Sequence, residues 1–122
     1  MLSTILIACA LVGITVVIHV VGIAVLLIAL KRRHALSPMR FWPIIRLLIA
    51  IVMCLLLFHL VEIAVWGLLY LWQEGLPGAE AAFYFSGVTY ATIGYGDLVL
   101  AEPLRILAPI EGLTGILMCG LS

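Results

Sequence analysis

The chain has 122 residues, no formal net charge at pH 7 and three cysteines, and its length predicts a single domain. Apolar residues make up 66% and charged residues 10%, against about half and about a quarter in globular proteins, which excludes a water-soluble domain. The neutral charge excludes a nucleic-acid footprint, and three cysteines scattered through apolar runs exclude a disulfide framework or a zinc site built on them.

The first predicted element is a membrane-spanning helix over residues 1–30. The apolar run from residue 2 to residue 30 has His19 as its only ionisable side chain, and it exceeds the roughly 20 residues that cross a bilayer. A signal peptide would begin with basic residues and have a shorter apolar stretch. We therefore expect this segment to stay in the membrane.

A basic loop and a second spanning helix follow. Residues 31–43 are basic and end in Pro43, which suits the first turn of a helix. Residues 44–72 form the second apolar run, and aromatic residues near its end predict an interfacial belt. These aromatic residues are Trp66, Tyr70 and Trp72.

The third predicted element is too short to cross a membrane as a helix. Residues 79–91 are apolar and aromatic but number only 13, which favours a re-entrant helix. The sequence TIGYGD follows at 92–97, and Pro103 then opens a last spanning helix over 104–122. That helix would be about 28 Å long and lacks a basic flank, so we expect the natural chain to continue past Ser122.

The positions of the basic residues predict the orientation. Five of them lie at the junction of the first two helices: Lys31, Arg32, Arg33, Arg40 and Arg46. The positive-inside rule places this loop in the cytoplasm. We therefore expect a multi-pass protein of the plasma membrane with its N-terminus outside and its C-terminus in the cytoplasm.

The TIGYGD segment needs a reason to lie at membrane depth. Non-helical backbone is tolerated there only where protein buries it or where it lines a water-filled path. Selection of potassium gives such a reason, because backbone carbonyl oxygens can replace the hydration shell of the ion.

The residue types of this segment fit that chemistry. Gly94 and Gly96 can adopt positive φ, which would turn successive carbonyl groups toward one axis. Thr92 can add its hydroxyl below them, while Ile93 and Tyr95 would point away from the axis. One strand supplies only part of a coordination shell, so a ring of several subunits is predicted.

TIGYGD resembles the signature sequence of potassium channels, whose filters are built from four TVGYG loops, with Ile93 in place of the valine. The run FYFSGVTYATIGYGDL at 83–98 resembles the pore helix and filter of the bacterial potassium channel pore-domain family. The whole chain resembles the small three-helix members of that family, although its first helix has no counterpart in the minimal two-helix pore.

The resemblance implies an all-α membrane protein that forms a homotetramer around a central pore. Its implied segments are a peripheral helix at 1–30, an outer helix at 44–72, a pore helix at 79–91, a selectivity filter at 92–97 and an inner helix at 104–122. The implied ion-binding residues are Thr92, Ile93, Gly94, Tyr95 and Gly96, with potassium bound at the first four. Potassium is then the permeant ion, and no cofactor is expected.

The resemblance also indicates residues that would support the filter. In some relatives an acid on the pore helix bonds the aspartate above the filter, but Val88 occupies that position here and Asp97 lacks this partner. Tyr84 can donate to Asp97 instead, or both can face solvent. Glu111 can face the water-filled cavity or lie behind the filter, bonded to the pore helix, and we favour the second placement.

Two glycines of the last helix are candidates for a gating hinge. Gly115 falls near the hinge glycine of the family, and Gly112 is three residues earlier. Small residues at these positions can equally permit close helix packing. Both interpretations stay open.

The resulting functional prediction is passive, selective potassium conduction. We find no nucleophile–base pair and no metal-ligand cluster in the sequence, so an enzyme is not expected. One alternative is a subunit of an active potassium transporter, although those resemble fused degenerate repeats. Another is a non-conducting membrane assembly protein, which would not need TIGYGD.

Three polar residues of the first two helices are expected at similar depth. His59 and Glu62 share a face of the second helix, and an antiparallel first helix brings His19 to their level. They can form a hydrogen-bonded clamp, a pH sensor or a metal site. We favour the clamp, because a metal site would need more ligands than these three residues obviously supply.

Overall fold

The computed structural model describes residues 2–34 and 41–122. In this part of the chain the structure consists of α1 (Leu2–His34), α2 (Phe41–Trp72), α3 (Gly78–Tyr90) and α4 (Leu107–Leu121). A 3₁₀ turn at Leu104–Ile106 leads directly into α4.

The first two helices extend beyond the apolar runs that predict them. α1 continues through residues 31–34 and α2 begins at Phe41, so both helices enter the predicted 31–43 loop, of which 35–40 lie outside the described residues. Lysine and arginine are good helix formers, and a change from apolar to basic composition therefore does not end a helix. Pro43 lies in the first turn of α2, where its missing N–H costs no hydrogen bond.

Three segments are long and apolar enough to cross a membrane: Leu2–Arg32, Phe41–Trp72 and Leu104–Leu121. α1 and α2 both expose apolar side chains along most of their length, as expected for helices that contact lipid. This confirms the prediction of an all-helical membrane protein. α3 has 13 residues and does not reach spanning length.

The core lies where α3 contacts both α2 and α4, and α1 packs against α2 and α4 from outside. α1 turns one regular stripe inward, and its buried members are Thr4, Ala8, Leu11, Thr15 and His19. Three of these five side chains are polar. The contact of α1 with the other helices therefore includes hydrogen bonds as well as apolar packing.

The predicted aromatic belt at the end of α2 is wrong for two of its three residues. Trp66 and Tyr70 are fully buried in the core, whereas Trp72 is 74% exposed. The Tyr70 ring makes an edge contact with Phe85 of α3, with ring centroids 5.3 Å apart. α3 covers this side of α2, so these two aromatic side chains face protein instead of the membrane interface.

Glycines allow several close helix contacts, and two of them involve α1 and α4. A Cβ atom at Gly22 of α1 would lie 2.8 Å from Phe58 of α2, and one at Gly115 of α4 would overlap the backbone oxygen of Tyr90 at the end of α3. A Cβ at Gly112 would meet only ordinary contacts, 3.5 Å from the Thr89 oxygen. The contact at Gly115 supports the packing interpretation, and a hinge at Gly112 and Gly115 stays a prediction.

Replacing Gly115 with alanine is expected to destabilise the folded protein by about 1–3 kcal/mol, because the added methyl group pushes α4 away from a backbone atom that cannot rotate aside. Gly120→Ala on the same helix is the control, since a Cβ there meets nothing within 4 Å. Denaturation in detergent, followed by circular dichroism, measures both. Equal stabilities of the two variants would contradict the packing described here.

Candidate functional site

The 92–97 segment begins directly after α3 and is tied to its last turn. The backbone N–H groups of Ile93 and Gly94 both donate to the Val88 oxygen, at 2.9 and 3.3 Å, and the Thr92 N–H donates to the Thr89 oxygen at 2.9 Å. Val88 therefore contacts the segment through its main chain. This holds the start of the segment in register with the end of the helix.

Positive φ angles occur at alternate residues of the segment. They are 59° at Thr92, 58° at Gly94 and 75° at Gly96. Both glycines adopt the conformation that their lack of a Cβ permits. Thr92 was not expected to do so, because a β-branched residue with positive φ is a genuine outlier and costs about 1–2 kcal/mol.

Residues 91–97 are all exposed in the single chain, including the large side chains of Ile93 (54%) and Tyr95 (69%). A concavity of about 400 Å³ lies beside them, bounded by Phe85 and Thr89 of α3 and by Gly112 of α4. Irregular backbone that is exposed on a membrane protein must be covered by protein or face water. The single chain does not supply that cover.

Asp97 accepts a hydrogen bond of 2.8 Å from the Tyr84 hydroxyl. This bond raises the pKa of Tyr84, because the Asp97 carboxylate stabilises the protonated hydroxyl that donates to it. Of the two placements considered for this pair, the structure has the bonded one. The bond joins the end of the segment to the exposed side of α3.

Glu111 of α4 is fully buried and accepts two hydrogen bonds from neighbouring helices. Tyr70 of α2 donates at 2.6 Å and Ser86 of α3 at 2.5 Å. The favoured expectation, a bond between Glu111 and α3, matches this contact. The sequence did not indicate either donor. Ser86 is a single hydroxyl within an aromatic run, and Tyr70 was predicted to lie at the membrane interface.

A second buried carboxylate, Glu62, lies at the other end of α3. His19 Nδ1 is 2.9 Å and His59 Nδ1 is 3.5 Å from its oxygens, and the Tyr90 hydroxyl donates to it. The two histidines and Glu62 offer ligand atoms within 4.8 Å of one another. The structure thus brings together the three residues that the sequence predicts at similar depth, although His19 and Glu62 are 43 residues apart in sequence.

Tyr90 and Ser122 complete this second cluster, and sequence reasoning missed both. The Ser122 Oγ lies 3.1 Å from His19 Nε2 and 3.2 Å from His59 Nε2. For Tyr90, the only indication in the sequence is its position just before the 92–97 segment. For Ser122 the sequence carries no signal, since its place depends on how α4 packs.

A family model described as "Ion channel" matches residues 47–122, which is more than half of the chain. The chain belongs to this ion channel family. Comparison with curated proteins and with solved structures finds no match. The channel region begins in α2 and takes in α3, the 92–97 segment and α4, so α1 lies outside it.

The family match confirms the prediction of an ion channel in its general form. Three apolar helices and a channel domain make this a membrane protein with channel function. Every residue of the 92–97 segment lies inside the matched region, as do Glu62, His59 and Glu111. His19 is outside the region, yet it bonds to Glu62 within it.

Tyr70→Phe is expected to destabilise the channel by about 1–3 kcal/mol, because it leaves a buried Glu111 oxygen without its donor. Tyr84→Phe is the matched control, since it removes the same hydroxyl from an exposed bond and should cost less than about 1 kcal/mol. Thermal unfolding in detergent compares them. A larger loss in Tyr84→Phe than in Tyr70→Phe would show that the buried carboxylate does not need this donor.

Proposed function

We propose that this ion channel conducts potassium selectively and passively, through a pore formed by four copies of the chain around one axis. Residues 92–97 of each copy form the selectivity filter. The observation that carries the proposal is the alternation of positive φ at Thr92, Gly94 and Gly96. Such alternation suits a strand whose carbonyl oxygens face one side.

The chemistry of the segment favours a dehydrated monovalent cation. Residues 92–96 carry no charged side chain, so carbonyl dipoles and the Thr92 hydroxyl are the groups available to an ion. Neutral dipoles compensate the hydration shell of potassium without holding the ion too tightly to leave. We place potassium at Thr92, Ile93, Gly94 and Tyr95, with Gly96 completing the filter.

The exposure of the segment supports assembly. A single strand offers oxygens from one side only, and its outward side chains Ile93 and Tyr95 need neighbours. In a tetramer, adjacent copies would surround both and occupy the concavity beside the segment. α4 offers a further apolar surface for contact, consisting of Leu113, Ile116, Leu117 and Leu121.

The orientation follows from charge. We place the N-terminus outside, the basic 31–43 segment in the cytoplasm and the C-terminus in the cytoplasm of the plasma membrane. α3 then enters from the outer side as a re-entrant pore helix and returns the chain there through the filter. Glu74, Glu80, Asp97 and Glu102 lie on that outer side, where they would raise the local cation concentration.

Gly96→Ala is expected to abolish potassium-selective flux in liposomes, because a Cβ disfavours the positive φ that turns the carbonyl group. Gly78→Ala is the matched control. Gly78 also has positive φ, 89°, with nothing within 4 Å of its Cβ position, but it lies at the start of α3. This variant carries the same kind of backbone strain and should keep the selectivity of the wild type.

Flux of potassium and sodium into liposomes, measured for the assembled protein, decides the matter. Unchanged selectivity in Gly96→Ala would overturn the filter assignment. Uphill potassium accumulation driven by an energy source would favour a transporter subunit. Absence of flux in the wild type would favour an assembly protein.

Tyr84→Phe is expected to change how long the current persists under sustained ion flow, since Asp97 loses its hydrogen-bond donor at the end of the filter. Val88→Glu should change it as well, by introducing an acid behind the filter. Trp72→Phe, a change of an exposed aromatic at the end of α2, is the control. Identical current decay in the wild type, Tyr84→Phe and Val88→Glu would exclude a role for these positions in supporting the filter.

A further inference from the structure

Four helices contribute to the cluster around Glu62. His19 comes from α1, His59 and Glu62 from α2, and Tyr90 from α3, while Ser122 follows the end of α4. His19 and Glu62 are fully buried and the His59 side chain is 16% exposed. The hydrogen bonds of these described side chains join them to one another and not to residues 92–97, so the proposed filter does not explain the cluster.

The hydroxyl of Ser122 contacts both histidines. Its Oγ lies 2.9 Å from the Met118 oxygen, 3.1 Å from His19 Nε2 and 3.2 Å from His59 Nε2. Each Nε2 therefore has a hydrogen-bond partner, and Nδ1 is the nitrogen of each ring that faces Glu62. A neutral imidazole with its proton on Nε2 presents its lone pair on Nδ1, which is the form that a metal ion requires.

The two Nδ1 atoms face the same carboxylate. His19 Nδ1 lies 2.9 Å from Glu62 Oε1, and His59 Nδ1 lies 3.5 Å from Oε2. The Tyr90 hydroxyl donates to Glu62 Oε2. Two imidazole nitrogens and one carboxylate therefore converge on one small space, and all three groups are able to bind a metal ion.

Glu62 faces no fixed positive charge among the described residues. Its ion-pair partners there are two histidines, and neither a lysine nor an arginine is among them. A buried carboxylate without a fixed positive charge beside it is costly inside a membrane bundle. A cation between the two Nδ1 atoms and Glu62 would remove this cost.

We propose that His19, His59 and Glu62 bind a divalent transition-metal ion, with Zn²⁺ as the best fit. Two imidazole nitrogens and one carboxylate oxygen form a ligand set that zinc uses in proteins. Zinc–ligand distances of about 2.0–2.2 Å place the ligands of a tetrahedral ion roughly 3.5 Å apart, close to the 2.9 and 3.5 Å found here. The three ligand atoms lie within 4.8 Å of one another, so small side-chain rotations close the site.

The surrounding groups complete the coordination. The Tyr90 hydroxyl lies 3.1 Å from His59 Nδ1 and is placed to supply a fourth oxygen or to orient a water in that position. Ser122 contacts both imidazole rings at Nε2, and a partner at the second ring nitrogen is the usual way that a second layer of residues orients histidine ligands. The bound ion would fasten α1 to α2 at the level of Tyr90, two residues before Thr92.

Zinc binding to the full chain, without an affinity tag and in detergent, tests the site. The protein is stripped with EDTA, dialysed against Zn²⁺ and assayed for metal per chain by mass spectrometry. Co²⁺ provides a second probe through its visible absorption, which reports the coordination geometry. We expect one zinc ion per chain at this site. Any further zinc held by His34 or the cysteines would be the same in every variant, because no variant changes those residues.

Glu62→Gln should weaken zinc binding by at least about 10-fold, since it removes the negative ligand while keeping its shape. Glu111→Gln is the matched control, because it makes the same change at the other buried carboxylate, which has no histidine partner, and should bind zinc as the wild type does. If Glu62→Gln does not assemble, His59→Gln tests the same loss at a partly exposed ligand.

If the wild type, His59→Gln and Glu62→Gln all bind the same number of zinc ions per chain, the proposed site is wrong. Absence of bound zinc in the wild type would overturn it and would leave a protonated histidine–carboxylate pair as the source of the positive charge. A weakening in Glu111→Gln as large as that in Glu62→Gln would also overturn it. None of these measurements depends on ion flux, so they are independent of the potassium proposal.

Discussion

A carboxylate inside a membrane protein must find its partners within the protein, and two such groups join the helices of this channel. Glu111 of α4 accepts from Tyr70 of α2 and Ser86 of α3. Glu62 of α2 contacts His19 of α1 and Tyr90 of α3. Each carboxylate links three helices, and α3 is one of the three in both cases. This helix is too short to cross the membrane, and these two attachments add to the apolar packing of Ala82 and Phe85 that also holds it in place.

The conformation of the 92–97 segment depends in turn on α3. Its first N–H groups bond to the last turn of that helix, and Gly115 brings α4 against Tyr90 at the same place. The left-handed conformation of Thr92 opposes the intrinsic preference of a β-branched residue. Strain of this kind persists only where the surroundings over-determine the backbone. The hydrogen bonds to Val88 and Thr89 and the packed end of α3 meet that requirement.

Composition and run length were enough to predict three spanning helices, because burial in lipid leaves a long apolar signal that needs no knowledge of packing. Helix ends were less predictable, since basic residues such as Lys31 favour helix as readily as apolar ones. Trp66 and Tyr70 were misassigned because an aromatic residue near a helix end suits a lipid interface or a core equally well. The bond of Glu111 to α3 was one of two placements that the sequence left open. Tyr90 and Ser122 could not be assigned, because their meeting depends on the rotation of each helix about its axis, and the sequence pattern of these mostly apolar helices does not encode that rotation.

The contact between α1 and α2 has a consequence for how the chain tolerates change. Glu62 of α2 is bonded to His19 of α1, and the ring of His59 lies 5.3 Å from that of His19. Deletion of α1 would therefore leave a histidine and a carboxylate of α2 facing acyl chains. The channel region could lose α1 only if apolar residues replaced both of these side chains at the same time.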